Sequence, residues 1–273
     1  MSIIQAIVLG IVQGLTEFLP VSSSGHLVLV PFLLNWTLDP QKAFLFDVLV
    51  QLGTLVAVFV YFRKDLWEIV KAFIGGIKDR KPFEQSNSRL GWYIVLATIP
   101  AGVIGILLQE QVEALFNSPV WTAVFLFITA ILLTVSELWS KKTRELDTMS
   151  VKDSLIIGAF QALSIFPGIS RSGATITGGL TQGFKRQSAA KFSFLMSIPV
   201  MLAAGLLSLV KLIKMDGVLE FLPVLLLGFV IAGVVGYIAI KWFIGYLKEK
   251  SLLPFAVYCA VLAIVVIFVA YLR

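Results

Sequence analysis

Glu17, Ser22, Ser23, Ser24 and His26 fall within a stretch of ten residues near the start of the chain, and Ser170, Arg171, Ser172, Gly173 and Thr175 make a second polar knot far along it. A carboxylate and an imidazole beside three hydroxyls could move protons or attack an electrophile. Glycines, hydroxyls and a guanidinium just before an apolar helix let backbone N–H groups and a fork of positive charge converge on phosphate oxygens. Gln13 and Glu17 are four apart and share a helical face, where their oxygens suit a hard divalent cation, Mg²⁺ or Ca²⁺, bridging to a phosphate. Each of these roles has a plainer counterpart. Glu17 and Arg171 could form a purely structural ion pair, Gln13 an interhelical hydrogen bond, and the second knot a turn or helix-packing segment. His26 could be a satisfied polar residue, but it is the only histidine and it follows Ser-Ser-Ser-Gly. Asp47 and Gln51, again four apart, either support this chemistry or solvate the end of a helix.

The two knots are copies of one segment. Residues 10–26, GIVQGLTEFLPVSSSGH, and 158–174, GAFQALSIFPGISRSGA, align without a gap at an offset of 148 and agree at seven of 17 positions. Glu17 and His26 belong to the first copy and Arg171 to the second, so the copies differ in charge. Pro, Gly and Ser interrupt each within a few residues, which favours two short helices with a bend over one continuous helix.

Those bends must be held by a membrane fold. A hydrophobic fraction of 58% with only 14% charged residues and a mean hydropathy of +0.94 exclude an ordinary soluble domain. Six apolar segments, roughly 42–62, 90–109, 119–139, 187–212, 221–244 and 252–272, are long enough to cross a hydrocarbon core about 30 Å thick as helices. The alternation of a membrane barrel is absent, so an all-α integral membrane protein is expected. Ser2 to Val12 lacks the basic start of a signal peptide and is expected to remain in the mature protein. Cys259, the single cysteine, reads as a small core residue. The net charge of +6 is explained by its placement and implies no nucleic acid partner.

Of the 22 Lys and Arg, 17 fall between alternate spans: seven in Arg63–Arg89, four in Lys141–Lys152, three in Lys185–Lys191 and three in Lys241–Lys250. Lys42, Lys211, Lys214 and Arg273 fall on the other side. The positive-inside rule makes the first set cytoplasmic and both termini external. Each half then holds one polar knot and three spans: 1–140 with a hairpin over 1–35, and 150–273 with a hairpin over 150–184. AGVIG at 101–105 recurs as AGVVG at 232–236. Three spans per half force opposite orientations, an inverted-topology repeat whose two re-entrant hairpins approach from opposite faces.

The segments Gln13-Gly-Leu-Thr-Glu17-Phe-Leu-Pro-Val-Ser-Ser-Ser-Gly-His26 and Pro167-Gly-Ile-Ser-Arg171-Ser-Gly-Ala-Thr175 resemble the two motifs of the undecaprenyl-pyrophosphate phosphatase family linked to bacitracin resistance, over nearly the whole chain. The resemblance implies a metal-dependent hydrolase that converts the lipid pyrophosphate to the monophosphate and phosphate, recycling a carrier for cell-wall glycan synthesis. It implies Glu17, His26, Arg171 and Ser23 as catalytic, Ser22, Ser24, Ser170, Ser172, Gly173 and Thr175 as substrate-binding, and Gln13 with Glu17 as ligands of Mg²⁺ or Ca²⁺. Gln13 is neutral, so a cation leans on Glu17 and the substrate. His26, Ser23 and water all stay open as nucleophile. The competing class is a polyprenyl-phosphate transporter or flippase, since inverted repeats with broken helices are also a transporter architecture; both activities could coexist. The expected setting is a multi-pass plasma membrane protein with polyprenyl pyrophosphate and membrane lipid as partners, its site open to the external side. A homodimer is left open.

Overall fold

The computed structural model describes residues 1–108, 111, 112, 115, 118–213 and 218–273, with backbone alone for 207–213 and 218–220. Eleven α-helices follow in these residues: α1 Ile3–Thr16, α2 Ser23–Leu33, α3 Pro40–Tyr61, α4 Arg63–Lys78, α5 Ser86–Leu107, α6 Pro119–Trp139, α7 Val151–Leu163, α8 Arg171–Thr181, α9 Arg186–Ile213, α10 Val218–Tyr246 and α11 Leu253–Leu272. Six of them are long and apolar enough to cross a membrane: α3, α5, α6, α9 over Arg186–Leu206, α10 over Phe221–Tyr246, and α11. The chain is an all-α integral membrane protein, and the six expected spans fall on these helices. Lys214 lies outside the described residues, as does the Lys211 side chain.

Local sequence sets the helix starts. Asp39 and Ser118 cap α3 and α6 in front of Pro40 and Pro119, and Pro at the first helical position sacrifices a donor that has no partner there. Ser2 with Gln5 and Ser150 with Asp153 form capping boxes at α1 and α7, so the two short helix pairs begin with the same device.

Those pairs, α1–α2 and α7–α8, are anchored at opposite ends of the bundle. At one end Met1, Trp36 and Leu38 pack on the cluster of Ala6, Phe46 and Phe221, and Arg273 donates to the Phe32 carbonyl. At the other, Arg144 pairs with Asp153 at the start of α7 and donates to the Gln182 carbonyl just past α8. Ion pairs gather the basic loops at this second end: Lys191 with Asp65, Lys185 with Glu145, and both Lys142 and Arg186 with Glu137. This matches the side on which the sequence concentrates Lys and Arg. The halves also pack alike. Gly158 of α7 lies against α5, where a Cβ would come 2.6 Å from the Ala97 carbonyl, and Gly10 of α1, its repeat mate, lies on α10, where a Cβ would come 3.0 Å from the Gly228 carbonyl.

One element was not legible as such. The basic stretch after α3, read as a loop, contains the 16-residue amphipathic helix α4.

Candidate active site

The two bends meet. After α1 the chain turns through Pro20, and Ser22 takes a left-handed φ of 68° that a residue with a Cβ adopts only under constraint. Its hydroxyl accepts from Gly25 N–H (3.2 Å) and its carbonyl from His26 N–H (3.1 Å). In the second copy Ser170 caps α8 by accepting from Gly173 N–H at 3.0 Å. Ser23 and Arg171 thus occupy equivalent positions, each opening its helix, and the N-termini of α2 and α8 bring their partial positive charge to one place.

Glu17 stands between them, 7% exposed. Its Oε2 accepts from the Ser23 hydroxyl at 2.7 Å and from Gln13 Nε2 at 2.8 Å, and its Oε1 accepts from Arg171 Nη2 at 3.0 Å. Arg171 also donates to the Ser193 carbonyl at 3.1 Å. Glu17, Ser22, Ser23, Ser24 and Arg171 line one cavity of about 340 Å³, together with Gln51, Thr98, Gln161 and Ser164 and an apolar wall that includes Ile165, Val200 and Met201. That volume is within the ~300–1,000 Å³ typical of small-ligand sites. An acid, a hydroxyl and a guanidinium in hydrogen-bond contact at the end of two helix dipoles can bind an anion and deprotonate an alcohol.

The remaining expected residues sit behind this wall. Ser172 donates to the Leu19 carbonyl (3.0 Å), tying one bend to the other; Ser170 shares a hydrogen bond with Ser172; Thr175 shares one with Ser193 (2.6 Å). Ser170, Ser172, Gly173 and Thr175 do not line the cavity, and their bonds brace the residues that do. His26 is also off the cavity. Its Nδ1 is 2.8 Å from the Ser22 carbonyl, which can only accept, so Nδ1 carries the proton; in the neutral ring Nε2 then accepts from Tyr258 O–H at 2.7 Å. Both nitrogens are committed to holding the Ser22 turn. Of the Asp47/Gln51 pair, Gln51 reaches the cavity and Asp47 does not.

Two residues of interest escaped the sequence reading. Tyr258 is 232 positions from His26, and no local pattern signals the pairing. Gln161 was visible as the repeat mate of Gln13, which could have marked it. Its Nε2 donates to the Ala97 carbonyl at 3.3 Å, so its Oε1 points elsewhere, buried and without a partner. Gln13 Oε1 is left in the same condition, because Nε2 must face Glu17. Among the described residues no three His, Cys, Asp or Glu side chains cluster to hold a metal. Gln13 does not line the cavity and its Oε1 is turned away from Glu17, so the oxygens that face a hard cation there are those of Glu17; Gln13 Oε1 joins them only with its amide turned over, and the substrate must supply the other ligands.

Fold and site together define an integral membrane protein with a polar cavity built where two short helix pairs meet. The chain belongs to the family described as bacitracin resistance protein BacA, whose model matches residues 6–265. It is 42% identical over 273 residues to an undecaprenyl-diphosphatase of Moorella thermoacetica, covering 100% of both chains. It is also 42% identical over 269 residues to one of Thermobifida fusca (98% of this chain, 90% of the relative) and 43% identical over 274 residues to one of Chloroherpeton thalassium (97% and 95%).

Proposed function

We infer that this chain is an undecaprenyl-diphosphatase, hydrolysing the terminal phosphoanhydride of the lipid pyrophosphate to give the monophosphate and inorganic phosphate. The observation that carries the mechanism is the contact of Ser23 and Arg171 with opposite oxygens of Glu17. The pyrophosphate headgroup enters the cavity with its tail along the apolar wall. Arg171 turns from Glu17 to the phosphoryl oxygens, which the N-termini of α2 and α8 also attract. Ser23 Oγ, losing its proton to Glu17 Oε2, attacks the terminal phosphorus; the Oγ–P bond forms as the bridging P–O bond breaks and the lipid monophosphate leaves. Glu17 passes that proton to the departing monophosphate and is a carboxylate again; water then attacks the phosphoserine, Glu17 takes its proton and returns it to Ser23 Oγ as the Oγ–P bond breaks and inorganic phosphate leaves. Ser23 is chosen over His26 because its hydroxyl faces the cavity and the carboxylate. His26 is a positioning residue for the turn.

Glu17, joined by Gln13 Oε1 once that amide is turned over, would hold a divalent cation, Mg²⁺ or Ca²⁺. When bound it supplies charge neutralisation on the pyrophosphate. The basic end of the bundle is assigned to the cytoplasm by the positive-inside rule, which puts the termini and the mouth of the site outside, with both helix pairs re-entrant. Phosphate release from polyprenyl pyrophosphate by the purified protein in detergent tests the reading: it is expected for the native chain and absent in Glu17→Ala and Arg171→Ala. A carrier without hydrolase activity would release none.

A further inference from the structure

Among the described residues α4 is the one α-helix that neither spans nor belongs to a helix pair, and it has three faces. Ile69 and Gly76 are buried against the protein, and Phe73 packs on Trp92 of α5 with ring centroids 4.8 Å apart. Trp67, Val70, Ile74 and Ile77, at helical spacing, form a second stripe that nothing covers, 71, 48, 59 and 51% exposed. Lys64, Lys71 and Lys78, seven apart, run beside that stripe. Of the acids of the same helix, Asp65 pairs with Lys191, and Glu68, which is exposed, accepts from Asn87 at 3.5 Å. Among the described residues Lys64, Lys71 and Lys78 make no ion pair.

We propose that α4 is a docking site for the headgroup phosphates of anionic phospholipid. Its aliphatic and Trp side chains enter the acyl boundary while the lysines extend to the phosphates. The occupant is lipid because the stripe continues the exposed apolar surface of Phe59 and Val60 at the end of the α3 span, and because the flanking charge is positive and unpaired. The far side of α4 packs on α5, which contributes Thr98, Ala101 and Gly102 to the cavity wall, so the lipid contact is one helix away from the site.

The test uses the whole protein in nanodiscs of phosphatidylcholine, with or without phosphatidylglycerol. In a Cys259→Ala background, Ile74→Cys carrying an environment-sensitive fluorophore is expected to be quenched by lipids brominated in the acyl chain and spared by aqueous iodide. Spin-labelled phosphatidylglycerol is expected to associate more strongly than spin-labelled phosphatidylcholine. Lys64→Gln, Lys71→Gln and Lys78→Gln together should reduce that preference, by about fivefold per lysine at an anionic surface, with the detergent Tm unchanged. Quenching by iodide, shielding from both quenchers, or an unaltered lipid preference in the triple variant each overturns the proposal.

Discussion

Glu17→Gln separates the chemical role of the central carboxylate from its structural one. The substitution keeps side-chain shape but removes the charge that Arg171 faces at 3.0 Å and the base that accepts from Ser23 at 2.7 Å. Losing one partner of a buried ion pair costs roughly 3–5 kcal/mol. Arg171 is 14% exposed at its side chain, faces the cavity and keeps the Ser193 carbonyl, so the lower end, about 3 kcal/mol, is expected. At about 2–4 °C per kcal/mol, Tm falls by about 6–12 °C. Loss of a positioned general base lowers the chemical step by about 10²- to 10⁴-fold. Single-turnover phosphate release, measured well below the variant's Tm, reads the second effect without the first. Ser23→Ala is the control: it leaves the Glu17–Arg171 pair standing, so it should match the rate loss with little change in Tm. If Glu17→Gln lowers Tm but releases phosphate within about tenfold of the native rate, the pair is structural and the mechanism fails.

The other predictions concern residues around that centre. Gln161→Leu removes a buried acceptor without a partner, a group that costs about 1–3 kcal/mol, and gives up the Nε2 bond to the Ala97 carbonyl, worth about 0.5–1.5 kcal/mol; Tm should rise by the difference, and a lower Tm would refute this. Tyr258→Phe removes the donor to His26 Nε2, worth about 0.5–1.5 kcal/mol, and should lower kcat up to about tenfold with KM unchanged; wild-type kcat would refute the positioning role of His26. Gly158→Ala forces a Cβ against the Ala97 carbonyl and should cost about 1–3 kcal/mol, seen as a lower Tm. The Asp153 carboxyl, pushed up by burial but brought down further by its bonds to Arg144 and Ser150, lies below its ordinary value of 3.8. Its contribution is present above that value and is lost as pH falls through the depressed one. Arg144→Ala should therefore lower Tm near neutral pH and have a shrinking effect below about pH 3.8, followed by thermal melts across that range.

The spans were legible because hydrocarbon demands long apolar runs. Helix α4 was not, because a charge count reads Arg63–Arg89 as a basic loop and does not register the i, i+3, i+7 recurrence of Trp67, Val70 and Ile74. At the site, residue type singles out Glu17, Ser23 and Arg171, which the fold brings into contact. It could not tell wall from brace: Ser23 and Ser172 are both serines in equivalent knots, yet one faces the cavity and the other bonds the Leu19 carbonyl. That difference is made by the approach of two segments 148 positions apart. His26 stands out in the sequence as the only histidine and the residue after Ser-Ser-Ser-Gly, and in the fold its two nitrogens bond the Ser22 carbonyl and a tyrosine of the last helix, a pairing no local pattern signals.

The offset that aligns the repeats also explains why one site forms and not two. Position 23 of the first copy corresponds to 171 of the second, and 17 to 165, so Ser23 and Glu17 answer to Arg171 and Ile165. A symmetric pair of bends carrying Glu at both equivalent positions would place two carboxylates in one cavity, where like charges repel and a pyrophosphate is excluded. With Ile165 in the second copy, one carboxylate remains, and the apolar side chain joins the wall beside which a lipid tail can lie. With Arg171 in place of a second serine, the same helix N-terminus supplies a cation to hold the phosphoryl group. Gln13 and Gln161 kept their identity and their geometry, each fixed through Nε2 with Oε1 left over. The symmetric glutamines preserve the frame, and the unsymmetric 17/165 and 23/171 pairs divide base from cation. Exchanging the 17/165 pair, with Ile165→Glu and Glu17→Ile in one chain, should leave Arg171 without its carboxylate at 3.0 Å and abolish phosphate release; a chain that still turned over would mean that either repeat can supply the base.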